Sequence, residues 1–235
     1  MEIRLDRVWQ EVFGAGAPAG PPGAEAYHLE HGPVSHRARR LELEGARAMR
    51  IEALGPRVVR AAGPVGMEQL RAALRFVLVR AIAPLGGFLV HAAALEVGEG
   101  AHLCFGPPEV GKTTLAGNAG ARAITEESAL VFPTPEGWRL CGTPWWSDGG
   151  RPGRSEVYPL TRIAWLEQAA ETRFERRPAS EVLSHLAGQI YAPGEAGGEG
   201  EEARLRAAQV PSLLRLLSEV EHGRLRFTRD AVYAG

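Results

Sequence analysis

Eight consecutive residues, Gly106-Pro107-Pro108-Glu109-Val110-Gly111-Lys112-Thr113, match the pattern G-x-x-x-x-G-K-[ST], in which each defined position has a chemical reason. The glycines let the backbone curl so that successive N–H groups face one point, and a helix starting at the end of the loop adds partial positive charge there. A lysine at this position reaches the β and γ phosphates of a nucleoside triphosphate, and the hydroxyl of Thr113 is a ligand for magnesium. The candidate binding residues are therefore Gly106, Pro107, Pro108, Glu109, Val110, Gly111, Lys112, Thr113 and Thr114, and the expected ligands are ATP and Mg2+. Composition supports the lysine: among 27 Lys and Arg residues, Lys112 is the only lysine. A planar guanidinium does not enter a tight backbone cradle as a point charge, so a chain that otherwise uses arginine keeps an ammonium here.

Phosphoryl transfer also calls for an acidic ligand to the metal and a group that takes the nucleophile's proton. Glu126-Glu127 follows Lys112 by one short helix and a strand, which returns the pair toward the phosphates. One carboxylate then joins Thr113 as a metal ligand and the other serves as base. From spacing alone the pair reads equally well as solvated loop charge. His91 lies in an apolar strand, where an isolated histidine is more often a core residue with one hydrogen bond than a catalyst. The catalytic candidates are His91, Lys112, Glu126 and Glu127, with Thr113, Glu126 and Glu127 as candidate metal ligands. Arg151 and Arg154, in a glycine-rich loop, can close over a transferred phosphate, although plain exposure is the simpler reading in so arginine-rich a chain. Trp145 and Trp146 can stack on a base or fill core.

These residues need elements to position them. Residues AHLCF read as a strand that delivers the chain into the glycine loop, and LAGNAGARA as the helix that leaves it. Ahead of them, FLVHAAALEV reads as one strand and VGEG as a turn. After them, AITEESALVF gives two strands, WRLCGTPWW another, and RIAWLE a short apolar one. The stretches ASEVLSHLAGQIY and EARLRAAQVPSLLRLLSEV read as helices, the second interrupted or restarted at Pro211, with PGEAGGEGEE between them as a mobile loop. RLRFTRDAVY reads as a closing strand. The N-terminal portion begins with a strand and a glycine- and proline-rich linker, and Tyr27 to Val59 reads as an antiparallel meander with its arginines on a solvated face. Met67 to Ala83 places Leu70, Leu74, Val77, Leu78 and Ala81 at helical spacing before Pro84, Gly86 and Gly87 end it. The division expected is residues 1–85, strand-rich and ending in a helix, and residues 86–235, the phosphate-loop core of mixed α/β class.

With 235 residues and 45% hydrophobic content the chain can bury a sizeable core. Its net charge of −1 argues against a generally basic nucleic-acid surface. No run of about 18 apolar residues marks a membrane span, and MEIRLDRVWQ carries charge where a signal peptide needs an apolar stretch, so a cytoplasmic protein is expected. Cys104 and Cys141, each in a strand-like stretch, read as small core hydrophobes.

The segment FLVHAAALEVGEGAHLCFGPPEVGKTTLAGNAGARAITEE resembles the catalytic core of HPr kinase/phosphorylase and of the wider HPr-kinase-like group, relatives in fold of ATP-dependent phosphoenolpyruvate carboxykinase. In that group a strand histidine, a hairpin, the phosphate loop and a strand ending in two acidic residues follow one another, matched here by His91, Gly106 to Thr113 and Glu126-Glu127. GTPWW followed by PLTRIAWLE is similar to a segment of HPr-kinase-like proteins of unassigned substrate. The resemblance spans about residues 87–166 and implies a mixed-sheet core with flanking helices. It also implies ATP and magnesium, transfer of phosphate to a serine hydroxyl, and participation of the histidine and acidic pair. The implied partner is a peptide, small protein or small molecule carrying a hydroxyl, with no nucleic acid and no membrane; homo-oligomer formation stays open. Two departures stand out. The family has aspartates where this chain has Glu126 and Glu127, and neither the glycine-rich signature of the phosphorolytic reaction nor the preceding receptor-like domain is found. HPr is therefore not the expected acceptor, and the rival reading is an ATP-binding regulatory module without transfer chemistry. A carboxykinase lacks identifiable metal ligands and substrate arginines and ranks last.

Overall fold

The computed structural model describes residues 82–143, 145, 153–191, 199–230 and 233, with Arg75, Leu78, Val79 and five short strands within the first 62 residues. The chain divides into two compact units, residues 1–84 with 192–209 and residues 85–191 with 210–235. The sequence division at residue 85 had given the stretch 192–209 to the second unit.

In the first unit, β1 (Glu2–Arg4), β2 (Ala26–Glu30), β3 (Arg40–Leu41), β4 (Met49–Ala53) and β5 (Val59–Ala62) form one sheet in the order β1-β2-β5-β4-β3. Only β3, β4 and β5 form the expected meander. β2 pairs with β5 in parallel, through His28↔Arg60 to Glu30↔Ala62, so the chain must cross over between them. Most of the helix expected over 67–83, and the linker after β1, lie outside the described residues; Arg75, Leu78, Val79 and Ile82 are helical.

The second unit is a mixed α/β layer structure. Its strands are β6 (Phe88–Val90), β7 (Ala92–Val97), β8 (Gly100–Phe105), β9 (Ala123–Thr125), β10 (Ala129–Thr134), β11 (Gly137–Gly142), β12 (Tyr158–Gln168), β13 (Arg173–Arg176) and β14 (Glu221–Phe227). They form a nine-stranded sheet in the order β6-β10-β11-β12-β8-β7-β9, with β14 on β12 and β13 on β14. β12 is longer than the short strand expected, because its first residues pair with β11 while residues 162–168 run parallel to β14. Its other edge runs parallel to β8. Such a doubly flanked strand buries both faces, and Ile163, Ala164, Trp165 and Leu166 are all in core.

Among the described residues, three helices flank the sheet. α1 (Lys112–Ala119) packs Leu115, Ala116 and Ala119 with Ala93, Leu95, Cys104, Ala164, Leu166, Leu225 and Phe227. The other face takes Val182 and Leu186 of α2 (Ala179–Leu186) and Leu213, Leu216 and Leu217 of α3 (Glu199–Glu219) against Leu103, Phe105, Ile163 and Trp165. Cys104 and Cys141 are free and buried, as small hydrophobes are.

Two local expectations change. α3 runs unbroken through Pro211, where an interruption or restart is expected from the sequence. Pro211 removes one intrahelical hydrogen bond, but it and Ala207, whose carbonyl loses that partner, are both exposed to water. The same helix begins at Glu199, so the end of the expected mobile loop is helical. Residues 192–198 of that loop lie outside the described residues.

Candidate functional site

Register places the candidate residues at one end of the sheet. β8 ends at Phe105, opposite Ala92 of antiparallel β7 and beside Trp165 of parallel β12. β9 pairs Thr125 with Ala94 and so leads toward the same end, which β14 reaches with Phe227 opposite Gln168. The loop after β8, the Glu126-Glu127 turn after β9, Gln168, Phe227 and His91 before β7 therefore gather there. The carboxyl end of parallel strands is where open α/β sheets hold ligands.

The loop is built by backbone geometry. Gly111 caps α1 with φ +113° and makes no side-chain cap, which leaves the first-turn N–H groups without the usual side-chain acceptor. Only glycine fits: a Cβ at this position would lie 2.6 Å from Cζ of Phe227. Glu109 adopts φ +65°, uncommon for a residue with a side chain. Gln168 ties the loop to the end of β12, its amide donating to the carbonyls of Val110 (3.2 Å) and Glu109 (3.4 Å). Lys112 is 7% exposed, and its ammonium donates to the carbonyls of Gly106 (2.8 Å) and Pro107 (3.0 Å). Burial lowers its pKa and the nearby Glu127 carboxylate opposes that shift. Pro107, Pro108, Glu109, Thr113 and Thr114 are exposed around this buried charge, Gly106 is buried, and Val110 and Gly111 are half-buried.

His91 does not sit within one strand. The chain breaks there, because β6 pairs with β10 whereas β7 pairs with β8 and β9. Released from both ladders, the His91 N–H donates to Gln189 O (2.7 Å) and the Ala92 N–H to Glu127 O (3.2 Å). The imidazole is half-exposed, with Nδ1 3.8 Å from Glu127 Oε1 and 3.3 Å from the Tyr191 hydroxyl. Glu127 is turned by its own N–H, which donates to Thr125 Oγ1 at 3.4 Å, a side-chain turn that favours threonine before an acidic pair. Behind the pair, Thr143 Oγ1 donates to Ser128 O at 2.9 Å, both residues fully buried. Glu126 shares the turn and is half-buried. Glu127 thus lies beside His91, and its charge acts on the Lys112 ammonium.

Other expectations resolve differently. Arg154 is committed to Glu96 (2.6 Å) and lies over the Tyr158 ring, and its backbone N–H donates to Ile124 O, so it braces β9. Trp145 is buried, the core alternative. Arg151 and Trp146 lie outside the described residues. Gln168, Tyr191, Thr143 and Phe227 escaped the sequence reading; the polar residue closing an apolar strand at Gln168 was the one local signal. Among the described residues no group of three His, Cys, Asp or Glu forms a metal cage.

Comparison with protein-family models returns no match, and neither does comparison with curated protein sequences. No helix among the described residues is long and apolar enough to cross a membrane.

Proposed function

We propose that this chain is an ATP- and magnesium-dependent phosphotransferase of the HPr-kinase-like kind, acting on a serine hydroxyl of a peptide, small protein or small molecule in the cytoplasm. The observation that carries this reading is the buried ammonium of Lys112 within a strand-loop-helix turn whose helix start lacks a side-chain cap, with the Glu127 charge acting on it. A helix N-terminus without a side-chain cap, next to a cation, has the chemistry of a polyphosphate site. Loop amides and Lys112 hold the phosphates, Thr113 and a glutamate hold magnesium, and His91 and Glu127 stand where a hydroxyl proton is removed. Magnesium bound there would neutralise charge on the phosphates.

The test is binding and transfer measured side by side. Titration of a fluorescent ATP analogue with magnesium should give saturable binding that Lys112→Ala weakens by about 10- to 100-fold, the size of a lost charge-assisted hydrogen-bond set. With labelled ATP and hydroxyl-bearing acceptors, Glu127→Gln should keep binding and lose transfer. Binding without transfer to any acceptor would replace the kinase by an ATP-dependent regulatory module, and absence of binding would sink both.

A further inference from the structure

The sheet of the second unit carries an arginine cluster that neither the loop motif nor the acidic pair uses. Register places it. Arg224 stands opposite Trp165 and Arg226 opposite Glu167 on β12, while on β13 Glu175 stands opposite Arg224 and Arg173 opposite Arg226. Residues opposite one another share a face, and Trp165, stacked on His185 of α2, marks this one as the α2 face. Arg177, just past the end of β13, reaches the same Glu175. The row formed by Glu167, Arg226 and Arg173 lies one residue short of Gln168 and Phe227, the pair that braces the glycine loop. The near edge of the cluster is therefore about one strand rise, ~3.3 Å, from that pair.

The charges of the cluster do not balance. Glu175 takes Arg173 (2.6 Å), Arg224 (2.6 Å), Arg177 (3.0 Å) and Arg226 (3.9 Å), and Glu167 takes Arg224 (2.8 Å) and Arg226 (3.4 Å). Four guanidiniums thus share two carboxylates. With about five N–H donors on each guanidinium and about four acceptor sites on each carboxylate, donors exceed acceptors more than twofold. Among the described residues, Nε of Arg177 and Nε of Arg226 are buried without a hydrogen-bond acceptor. Arg173 and Arg226 are moreover like charges directly opposite across a strand pair, a repulsion that Glu175, shared four ways, relieves only in part. All four guanidinium side chains are reachable from solvent, Arg173 the most at 58% exposed. This local excess of positive charge stands in a chain whose net charge is −1.

We infer that this face is the docking site of the acceptor polypeptide, which presents an acidic segment to Arg173, Arg177, Arg224 and Arg226. The inference rests on the phosphotransferase reading for calling the bound chain an acceptor, and on the cluster alone for its binding. Arginine's planar fork matches a carboxylate, the group it already holds here. Acidic side chains near the reacting hydroxyl anchor the segment on the arginines, beside the end of the sheet where the glycine loop stands. A polypeptide suits the face better than a nucleic acid does. Glu167 and Glu175 interrupt the positive charge where a phosphate backbone needs it continuous, and the aromatic ring on this face, Trp165, is buried against His185, out of reach of a base.

Fluorescence anisotropy with labelled peptides, on the full-length chain without nucleotide, reads the binding directly. A peptide with glutamates flanking one serine should bind saturably, and its glutamine counterpart about tenfold more weakly. That difference should shrink between about 0.1 and 1 M salt, over which the screening length falls from about 10 to 3 Å. Arg173→Glu combined with Arg177→Glu should weaken the acidic peptide about 10- to 100-fold, with the urea midpoint showing that the variant is folded. If it is not, Arg173→Gln alone, at the most exposed position, should weaken the same peptide about threefold. Equal affinity for the two peptides, or an affinity that the folded variants leave unchanged, overturns the inference. So does a labelled oligonucleotide that binds more tightly than the acidic peptide and displaces it. Transfer from labelled ATP is read separately. A docked peptide left unphosphorylated, with every other hydroxyl acceptor, sinks the phosphotransferase reading while its binding still supports the docking face. Phosphorylation of the glutamine peptide with an equal KM keeps the kinase and removes the docking face.

Discussion

Replacing Gly111 with alanine tests why the loop has the shape it does. Two costs add. At φ +113° an L side chain is in a region it rarely adopts, worth on the order of 1–3 kcal/mol. The new methyl would also stand 2.6 Å from Cζ and 3.3 Å from Cε2 of Phe227. That ring is buried among Leu115, Ala116 and Leu225 and has little room to yield, so overpacking adds about 1–3 kcal/mol. Gly111→Ala should therefore lose about 2–6 kcal/mol in urea unfolding followed by the fluorescence of Trp138 and Trp165, both buried in the second unit. The two costs separate in a cycle with Phe227→Leu, which shortens the ring side chain and removes the clash but not the backbone cost. The double variant should recover about 1–3 kcal/mol relative to additivity. A Gly111→Ala change within about 0.5 kcal/mol, or strict additivity, would refute the claim that β14 presses on the loop.

Glu109→Gly should tighten triphosphate binding about two- to fivefold in the same titration, since an exposed carboxylate several ångströms from a polyphosphate costs under about 1 kcal/mol after screening. His102 gives a pH dependence. Arg162 donates to the Tyr233 hydroxyl (3.0 Å), which leaves the hydroxyl's own proton available to a neutral His102 Nδ1 at 2.9 Å. Burial, then the Arg162 charge, lowers the His102 pKa to about 4. Between about pH 6.5 and 4 the unfolded chain binds a proton the folded chain does not, so this stability, up to about 3 kcal/mol, is full above that window and lost as pH falls through it. His102→Gln should flatten the urea midpoint across that window while leaving wild type steep.

The loop was legible because its chemistry is local: glycines, lysine and threonine act on one another within eight residues, and the flanking strand and helix are set by short-range pattern. What decided the surroundings was pairing between distant segments. FLVHAAALEV has the composition of one strand, and nothing in it says that Phe88–Val90 will pair with β10 while Ala92–Val97 pairs with β8 and β9. Tyr191 meets His91 across 100 residues, and Gln168 meets the loop across 58. Pro211 misled for the opposite reason: the rule that proline stops a helix assumes that the freed carbonyl is costly, and here water reaches it.

The lone lysine sets charge against shape. If Lys112 matters only as a positive charge near phosphates, arginine, the cation this chain uses everywhere else, should serve as well. The structure argues otherwise. The ammonium is buried under the loop with two carbonyl oxygens at 2.8 and 3.0 Å, and Glu127 is the carboxylate beside it. A guanidinium brings five N–H donors in a rigid plane, more than those two carbonyls can satisfy, and more bulk than an ammonium. Lys112→Arg should then weaken triphosphate binding nearly as far as Lys112→Ala, about 10- to 100-fold, despite keeping its charge. Retention of affinity within about threefold would mean that the cradle does not discriminate between the two cations, and that the survival of one lysine among 27 basic residues reflects composition alone.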